Sequence, residues 1–492
     1  PGRCFFMKYM EEPMFIFEIY KNADPDHIAL VGDRTLTYGE MNQQISRYRN
    51  VLYKKGVRQG DRIAIYAGNC IQFILAYMAI VSLGAIVVPV NFSLVEREVD
   101  YIVKDAGISL LLTDRPLKTI CPVMELDKLD DLARFGKAMD APAFPEGITE
   151  DDVCSLVYTS GTTGSPKGAM LSHKNIIRNI QQFNDVVRFN DRDICLCVLP
   201  MFHCYGWTVS AMAPLYVGAS VVVLNSKNPK EMIHTIEKYK ITVAAMGPPM
   251  YHLLVRRGDT SAMDSVRMFI SGGAPIPQPV SQGFYEKYGH PVLEGYGLTE
   301  ASPVVSVMHP DQPPKYLTVG PAISDVEVKV RTKNGGPYKP GEVGELMVRG
   351  DNVMKGYWHK EEETAKVITP DGWLHTGDLV YMDKDGYIYI VDRIKDLIIV
   401  NGENIYPGEV EDCLYEIPEI SECAVVGHSD SLRGQAVWAY IVMKDGCPFD
   451  EDSIRHHLLK NLAAYKVPRR FIPMDELPKN STGKILKRAL RK

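Results

Sequence analysis

At 492 residues the chain is long enough for two or more domains with a large apolar core. Its 46% apolar and 24% charged residues are ordinary for a water-soluble globular protein, and a formal net charge of −6 argues against nucleic-acid binding as its main role. Ten scattered cysteines with no CxxC pair indicate neither a zinc site nor a disulfide framework, and point to a reducing, cytoplasmic setting.

In chain order, PGRCFF ahead of Met7 lacks the charged start and apolar core of a signal peptide. A helix is expected over 39–54 and strands over 62–66 and 86–90. Two uncharged runs, 71–90 and 194–226, are long enough to test as membrane spans. Gly84 and Pro89 divide the first, and Pro200, His203, Gly206, Pro214 and Gly218 interrupt the second, so both read as buried helix–strand units. From 153 onward the pattern alternates. Strands are expected at 153–158, 194–199, 219–224, 242–246, 266–270 and 291–294, with helices at 173–187, 207–216, 229–239, 248–257 and 277–288. Near-continuous apolar strands alternating with helices predict an α/β fold with mostly parallel, helix-covered sheets. After about 320 the texture turns to β, suggesting a barrel-like subdomain with a hairpin turned at 383–386. The charged run DRIKD at 392–396 divides this from a final α+β unit. It reads either as a domain junction at Lys395 or as a charged turn within one domain.

The most informative stretch is YTSGTTGSPKG at 158–168. Its glycines allow close backbone approach to a ligand, its hydroxyls donate to phosphate oxygens, and Lys167 adds a mobile positive charge. An apolar strand precedes it and a helical pattern with Ile176, Ile177, Ile180 and Phe183 on one face follows, a setting suited to polyphosphate. A flexible surface loop is the competing reading. The P-loop of nucleotide kinases is excluded, because Lys167 precedes Gly168 rather than Ser or Thr. Further on, SGGAP at 271–275 offers room for a flat ring at a strand end, EGYGLTE at 294–300 offers an aromatic, a hydroxyl and an acid, and Asp378 offers an acceptor for ribose hydroxyls within reach of Arg393. Each has a bland alternative in core packing or turn closure. Lys484, behind Gly483 in a C-terminal turn, reads equally as a solvated lysine or as one presented into a cleft.

These motifs, with GWLHTGD, DRIKDLIIVNGENIYPGEVE and PKNSTGKILK in the same order, resemble the adenylate-forming superfamily of acyl-CoA synthetases, peptide-synthetase adenylation domains and firefly luciferases, over about 36–487. The resemblance implies a large N-terminal domain, 1–394, that binds acid and ATP, and a small mobile C-terminal domain, 395–492, hinged at Lys395. It makes Thr159, Ser160, Gly161, Thr162, Thr163, Gly164 and Lys167 the phosphate loop, and Gly272, Gly273, Ala274 and Tyr296 the adenine site. Thr299 would touch the α-phosphate, Glu300 would hold Mg²⁺, Asp378 and Arg393 would clamp the ribose, Lys484 would be the catalytic lysine, and Gly402 would border the pantetheine path of CoA.

The implied activity is that of an AMP-forming acid–CoA ligase using ATP, Mg²⁺ and CoA, with a carrier protein's phosphopantetheine as the alternative acceptor. Amino-acid-activating relatives place an Asp where this chain has His203, so an amino acid substrate is not expected. The acyl pocket is expected from His203, Trp207, Met246, Gly247, Gly273, Gly297 and Val304, an apolar wall suited to a fatty acid first and an aromatic acid second. His203 also reads as a satisfied core histidine.

Overall fold

The computed structural model describes residues 14–135, 140–159, 166–226, 228–257, 261–400, 403–430, 433–480 and 483–491. Its architecture is mixed α/β, with parallel-rich sheets and a separate, smaller C-terminal sheet domain.

An eight-stranded sheet runs from Val304–Val307 through Val292–Gly297, Met268–Ser271, Val243–Met246, Ile194–Cys197, Ser220–Val223 and Ile28–Val31 to Thr35–Thr37. It is parallel through its middle and antiparallel at both ends. Its central strand VAAM is buried along its whole length, as a parallel strand covered on both faces must be. A six-stranded sheet runs from Val123–Glu125 through Leu110–Thr113, Arg62–Tyr66, Ile86–Pro89 and Val153–Thr159 to Lys167–Ser172, parallel except for the last pair. Between them lies one continuous core that includes Ile71, Phe73, Tyr77, Ile180 and Phe183.

Local chemistry sets the helix starts. Thr37 caps the helix Tyr38–Lys54 in a reciprocal box: its hydroxyl accepts from Glu40 N–H at 3.2 Å, and Glu40 accepts from Thr37 N–H at 2.9 Å. The uncharged run at 71–90 is a buried helix, Ile71–Val81, followed by the strand Ile86–Pro89. Among the described residues no helix is long and apolar enough to cross a membrane.

Two expectations need correction. The helix expected at 207–216 is a π-helix, Tyr205–Met212, that passes into one α-turn, Ala213–Tyr216. The phosphate-loop stretch does not lead directly into a helix. A strand, Lys167–Ser172, intervenes and returns antiparallel along Val153–Thr159, and only then does the helix His173–Val187 start on its Ser172 cap. The stretch therefore connects the two strands of a β-hairpin rather than a strand and a helix.

The region expected to be barrel-like is a four-stranded antiparallel meander, Glu327–Arg331, Gly344–Arg349, Leu374–Met382 and Ile388–Arg393, whose Leu346, Val348, Leu374 and Val380 join the large core. The C-terminal sheet, Glu403–Ile405, Ile398–Val400, Gly434–Met443 and Ile420–Asp430 with Arg470–Pro473 alongside, has a core of its own around Val410, Leu414, Val425, Ile441 and Leu458.

Candidate active site

A narrow cleft opens where the parallel strands of the eight-stranded sheet end, the side on which open α/β sheets place ligands. Pro200, His203, Tyr205 and Gly247 line it, with Gly272, Gly273 and Ala274 opposite. The π-helix begins at its wall. Gly206 has no alternative there, because a Cβ would run into the carbonyl oxygen of Pro200. Tyr205 lies across the strand ends, donating to the Ile270 carbonyl at 3.3 Å, with its ring against Gly272. Sequence reasoning missed Tyr205, because its partners, the carbonyls of Met246 and Ile270, come from strands more than forty residues away.

His203 Nδ1 accepts from the N–H of Tyr205 at 3.2 Å. Its enclosed position and the Lys484 charge lower its pKa to about 4, so the ring is neutral at pH 7. A neutral ring that accepts at Nδ1 carries its proton on Nε2, which gives the cleft a hydrogen-bond donor.

The polar rim gathers residues far apart in sequence. Asp378 is 2% exposed, accepts from Tyr296 Oη at 2.5 Å and pairs with Arg393 Nε at 2.9 Å. Thr299 Oγ1 lies 3.4 Å from the Cys204 thiol. Glu300 Oε1 accepts from Tyr357 Oη at 2.8 Å, and among the described residues no side chain bonds its Oε2. A hard carboxylate oxygen of this kind suits Mg²⁺, whose remaining ligands would be water and phosphate oxygens. Tyr357 is a further residue the sequence did not single out.

The C-terminal domain closes the cleft. Gly483 (φ 86°) has the left-handed conformation that glycine adopts freely, and a Cβ there would lie 2.9 Å from Pro249. This close turn presents Lys484 to the rim. Lys484 is open to the water of the cleft yet has protein around it. Desolvation, then the Arg393 charge, lowers its pKa to about 8, with Lys395 adding to the shift and Asp378 and Asp396 opposing it. Glu294, on the strand leading to Tyr296, is raised to about 8 by burial, against a 3.4 Å contact from Ile276 N–H.

The expected sites divide. Thr159 and Lys167 face each other at the mouth of the hairpin, and Lys167 Nζ donates to Glu363 at 2.5 Å; Ser160, Gly161, Thr162, Thr163 and Gly164 lie outside the described residues, as does Gly402. Lys395 sits in the 3₁₀ turn Ile394–Asp396 between the domains. Of the expected acyl pocket, His203, Gly247 and Gly273 line the cleft, but Trp207, Met246, Gly297 and Val304 are not among its lining residues. Trp207 lines a second, small apolar cavity with Tyr77, Met201 and Phe202. Met246 packs into the core behind the sheet with Ile236 and Phe269, and Val304 joins the main core. An apolar residue near a strand end faces cleft or core according to its position in the pleat, which the residue type does not reveal.

Cys413, Glu416 and His457 bring three ligand-type atoms within 4.8 Å of one another. His457 Nε2 lies 3.1 Å from the carbonyl oxygen of Cys413 and 3.1 Å from Glu416 Oε2. A carbonyl only accepts, so this nitrogen carries a proton and acts as a brace between two helices rather than as a metal ligand.

With this geometry in place, the comparison with known proteins is direct. Residues 17–358 match the AMP-binding enzyme family, and 409–484 match the AMP-binding enzyme C-terminal domain. The chain belongs to the AMP-binding enzyme family. Among its relatives in that family, a feruloyl-CoA synthase of Amycolatopsis sp is 36% identical over 475 residues, covering 94% of each chain. A long-chain-fatty-acid–CoA ligase of Bacillus subtilis (strain 168) is 34% identical over 515 residues, covering 95% of this chain and 91% of the relative. The o-succinylbenzoate coenzyme A synthetase of Bacillus subtilis, solved in complex with ATP and magnesium ion, superposes with a TM-score of 0.87 at 30% identity, covering 97% of this chain and 99% of that one.

Proposed function

We propose that this AMP-binding family enzyme is an AMP-forming carboxylic acid–CoA ligase, acting on an alkyl or aryl acid with ATP, Mg²⁺ and CoA. The observation that carries the reading is that Gly483 lines the cleft together with Gly272, Gly273 and Ala274, which brings the charge of the next residue, Lys484, to the Asp378–Arg393 pair. In this reading Asp378 is the ribose acceptor and Lys484 the cation at one end of the nucleotide. The relatives are named for CoA, which favours it over a carrier protein as acceptor. Both an aromatic-acid and a fatty-acid ligase are near relatives, and the apolar lining of Leu199, Pro200 and Pro249 suits either class.

In this reading the acid's carboxylate attacks the α-phosphorus of ATP, forming a carboxylate–phosphate bond as the bond to pyrophosphate breaks. Both reactants are anionic, so the cost of bringing them together is mainly electrostatic. Lys484 offsets the charge on the α-phosphate oxygens, Thr299 donates to them, and His203 Nε2–H offers a donor to the acid. Lys167 and the loop hydroxyls hold the departing phosphates. Glu300 would hold Mg²⁺, which spreads phosphate charge when bound. Asp378 accepts from the ribose and Arg393 holds Asp378 in place. The CoA thiol then attacks the acyl carbon and AMP leaves. Lys484 has no part in that step, and we propose that residues 395–492 turn about Lys395 to open a thiol path beside Gly402.

The test is release of AMP and pyrophosphate from Mg·ATP across a panel of fatty and cinnamic-type acids, with thioester scored on adding CoA. A thioester with one acid class supports the reading; no AMP with any acid overturns it.

A further inference from the structure

Lys167 does not extend freely into the space where phosphates would sit. Its Nζ donates to Glu363 Oε2 at 2.5 Å and lies 5.2 Å from the centre of the Tyr357 ring. Both partners belong to a segment fastened to the strand that carries Lys167. Trp358 N–H donates to the Gly168 carbonyl at 2.8 Å, Met170 N–H to Gly356 at 2.9 Å, and Lys355 N–H to Met170 at 2.9 Å. Tyr357 N–H donates to Thr364 Oγ1 at 2.9 Å, which fixes the helix Glu361–Val367 that bears Glu363 against the same segment. The lysine backbone, the aromatic ring and the acidic helix thus share one platform. The flexible part is the lysine side chain, whose ammonium can swing between Glu363 and the loop mouth.

We propose that Glu363 is a positioning residue that competes with bound phosphates for Lys167, and that this competition speeds the departure of pyrophosphate. The inference rests on the reading of Lys167 as a phosphate ligand.

Three features fit a competitor rather than a fixed structural pair. The pair is reached by solvent, with the Lys167 and Glu363 side chains 20% and 35% exposed, so a polyphosphate can break it. Glu363 has a second cation, Lys366, on its other oxygen at 2.6 Å, so its charge stays partnered when Lys167 leaves. Lys167 first, then Lys366, holds the Glu363 carboxyl at about 2, so it is ionised throughout the working pH range. An acceptor tethered to the lysine's own platform meets it at high effective concentration and recaptures it whenever a phosphate oxygen lets go.

The test is equilibrium binding of Mg·ATP and Mg·pyrophosphate to the full chain, with Glu363→Gln, Glu363→Asp and Lys167→Ala variants. Glu363→Gln should tighten both pyrophosphate and ATP roughly two- to five-fold, with the gain shrinking as salt rises. Glu363→Asp, which keeps the charge, should bind as the unaltered chain does. In a Lys167→Ala background the gain should vanish. If Lys167→Ala weakens both ligands but Glu363→Gln changes neither, or its gain persists without Lys167, the proposal is overturned and the loop reading stands. If Lys167→Ala leaves both affinities unchanged, the loop reading itself fails and takes the proposal with it.

Discussion

The two lysines at the ends of the proposed reaction centre are prepared in opposite ways. Lys167, on the hairpin, has its charge balanced by a carboxylate 2.5 Å away. Lys484, on the C-terminal turn, stands among Arg393 and Lys395 as well as Asp378 and Asp396, and its pKa falls to about 8. A lysine stored against a counter-ion is available on demand. A lysine brought into a partly desolvated, cation-rich rim is reactive toward an incoming anion but loses its proton more readily. The first arrangement suits holding and releasing phosphates, and the second suits stabilising charge that develops during the reaction.

The contrast is broken most severely by Lys484→Ala. Formation of the acyl-adenylate should fall roughly 10²- to 10³-fold, as when a preorganised donor is removed, while thioester formation from pre-made acyl-adenylate and CoA changes little. Pyrophosphate release and thioester trapping measure the two steps separately; equal losses in both would place Lys484 elsewhere.

Asp378→Asn should come next. It removes the charged partner of Arg393 and Tyr296, and a lost charged hydrogen bond of about 1.5–3 kcal/mol should raise the KM for ATP roughly ten- to a hundredfold. An unchanged KM would remove Asp378 from the nucleotide site.

The pH profile sharpens the comparison. A lowered lysine pKa means the charged form prevails below about 8 and is lost above it. The kcat/KM for ATP should therefore decline as pH rises through about 8, well below the range of an ordinary lysine. Glu294, raised to about 8, titrates in the same window, so Glu294→Gln should retain the decline if Lys484 is its source and abolish it if Glu294 is. Histidine protonation should add nothing between pH 5 and 8 from His203, whose pKa lies near 4.

The smallest effect is expected from Tyr357→Phe. It deletes one hydrogen bond to Glu300 while keeping the ring beside Lys167. A cost of about 0.5–1.5 kcal/mol should appear as a few-fold higher Mg²⁺ requirement with little change at saturating Mg²⁺. No change in the Mg²⁺ dependence would leave the tyrosine a packing role only.

Much of the framework was legible in the chain itself. Apolar runs and glycine or proline breaks placed the helices His173–Val187 and Pro229–Tyr239 at their observed bounds, because periodicity and capping act within a few residues. The motifs also marked Asp378, Arg393, Tyr296 and Lys484, since glycine-rich turns and charged residues at strand ends leave a local signature. Local patterning did not show that the loop returns as a strand, because the pairing of Lys167–Ser172 depends on a partner strand and on the segment at 355–358. It did not show that Trp207 faces a separate cavity, or that Met246 turns into the core.

The sequence alone therefore determined which chemical groups are present and in what order along the backbone: a glycine- and hydroxyl-rich loop, the acids Glu300 and Asp378, and the late Lys484. Only the tertiary structure decided their company. Tyr357 meets Glu300 across 57 residues and Lys167 meets Glu363 across 196. The physical reason is reach. Backbone preference and capping extend over one or two turns, whereas charge pairing and pKa depend on distances of a few ångströms in space, which are set by how sheets stack and how the C-terminal domain docks.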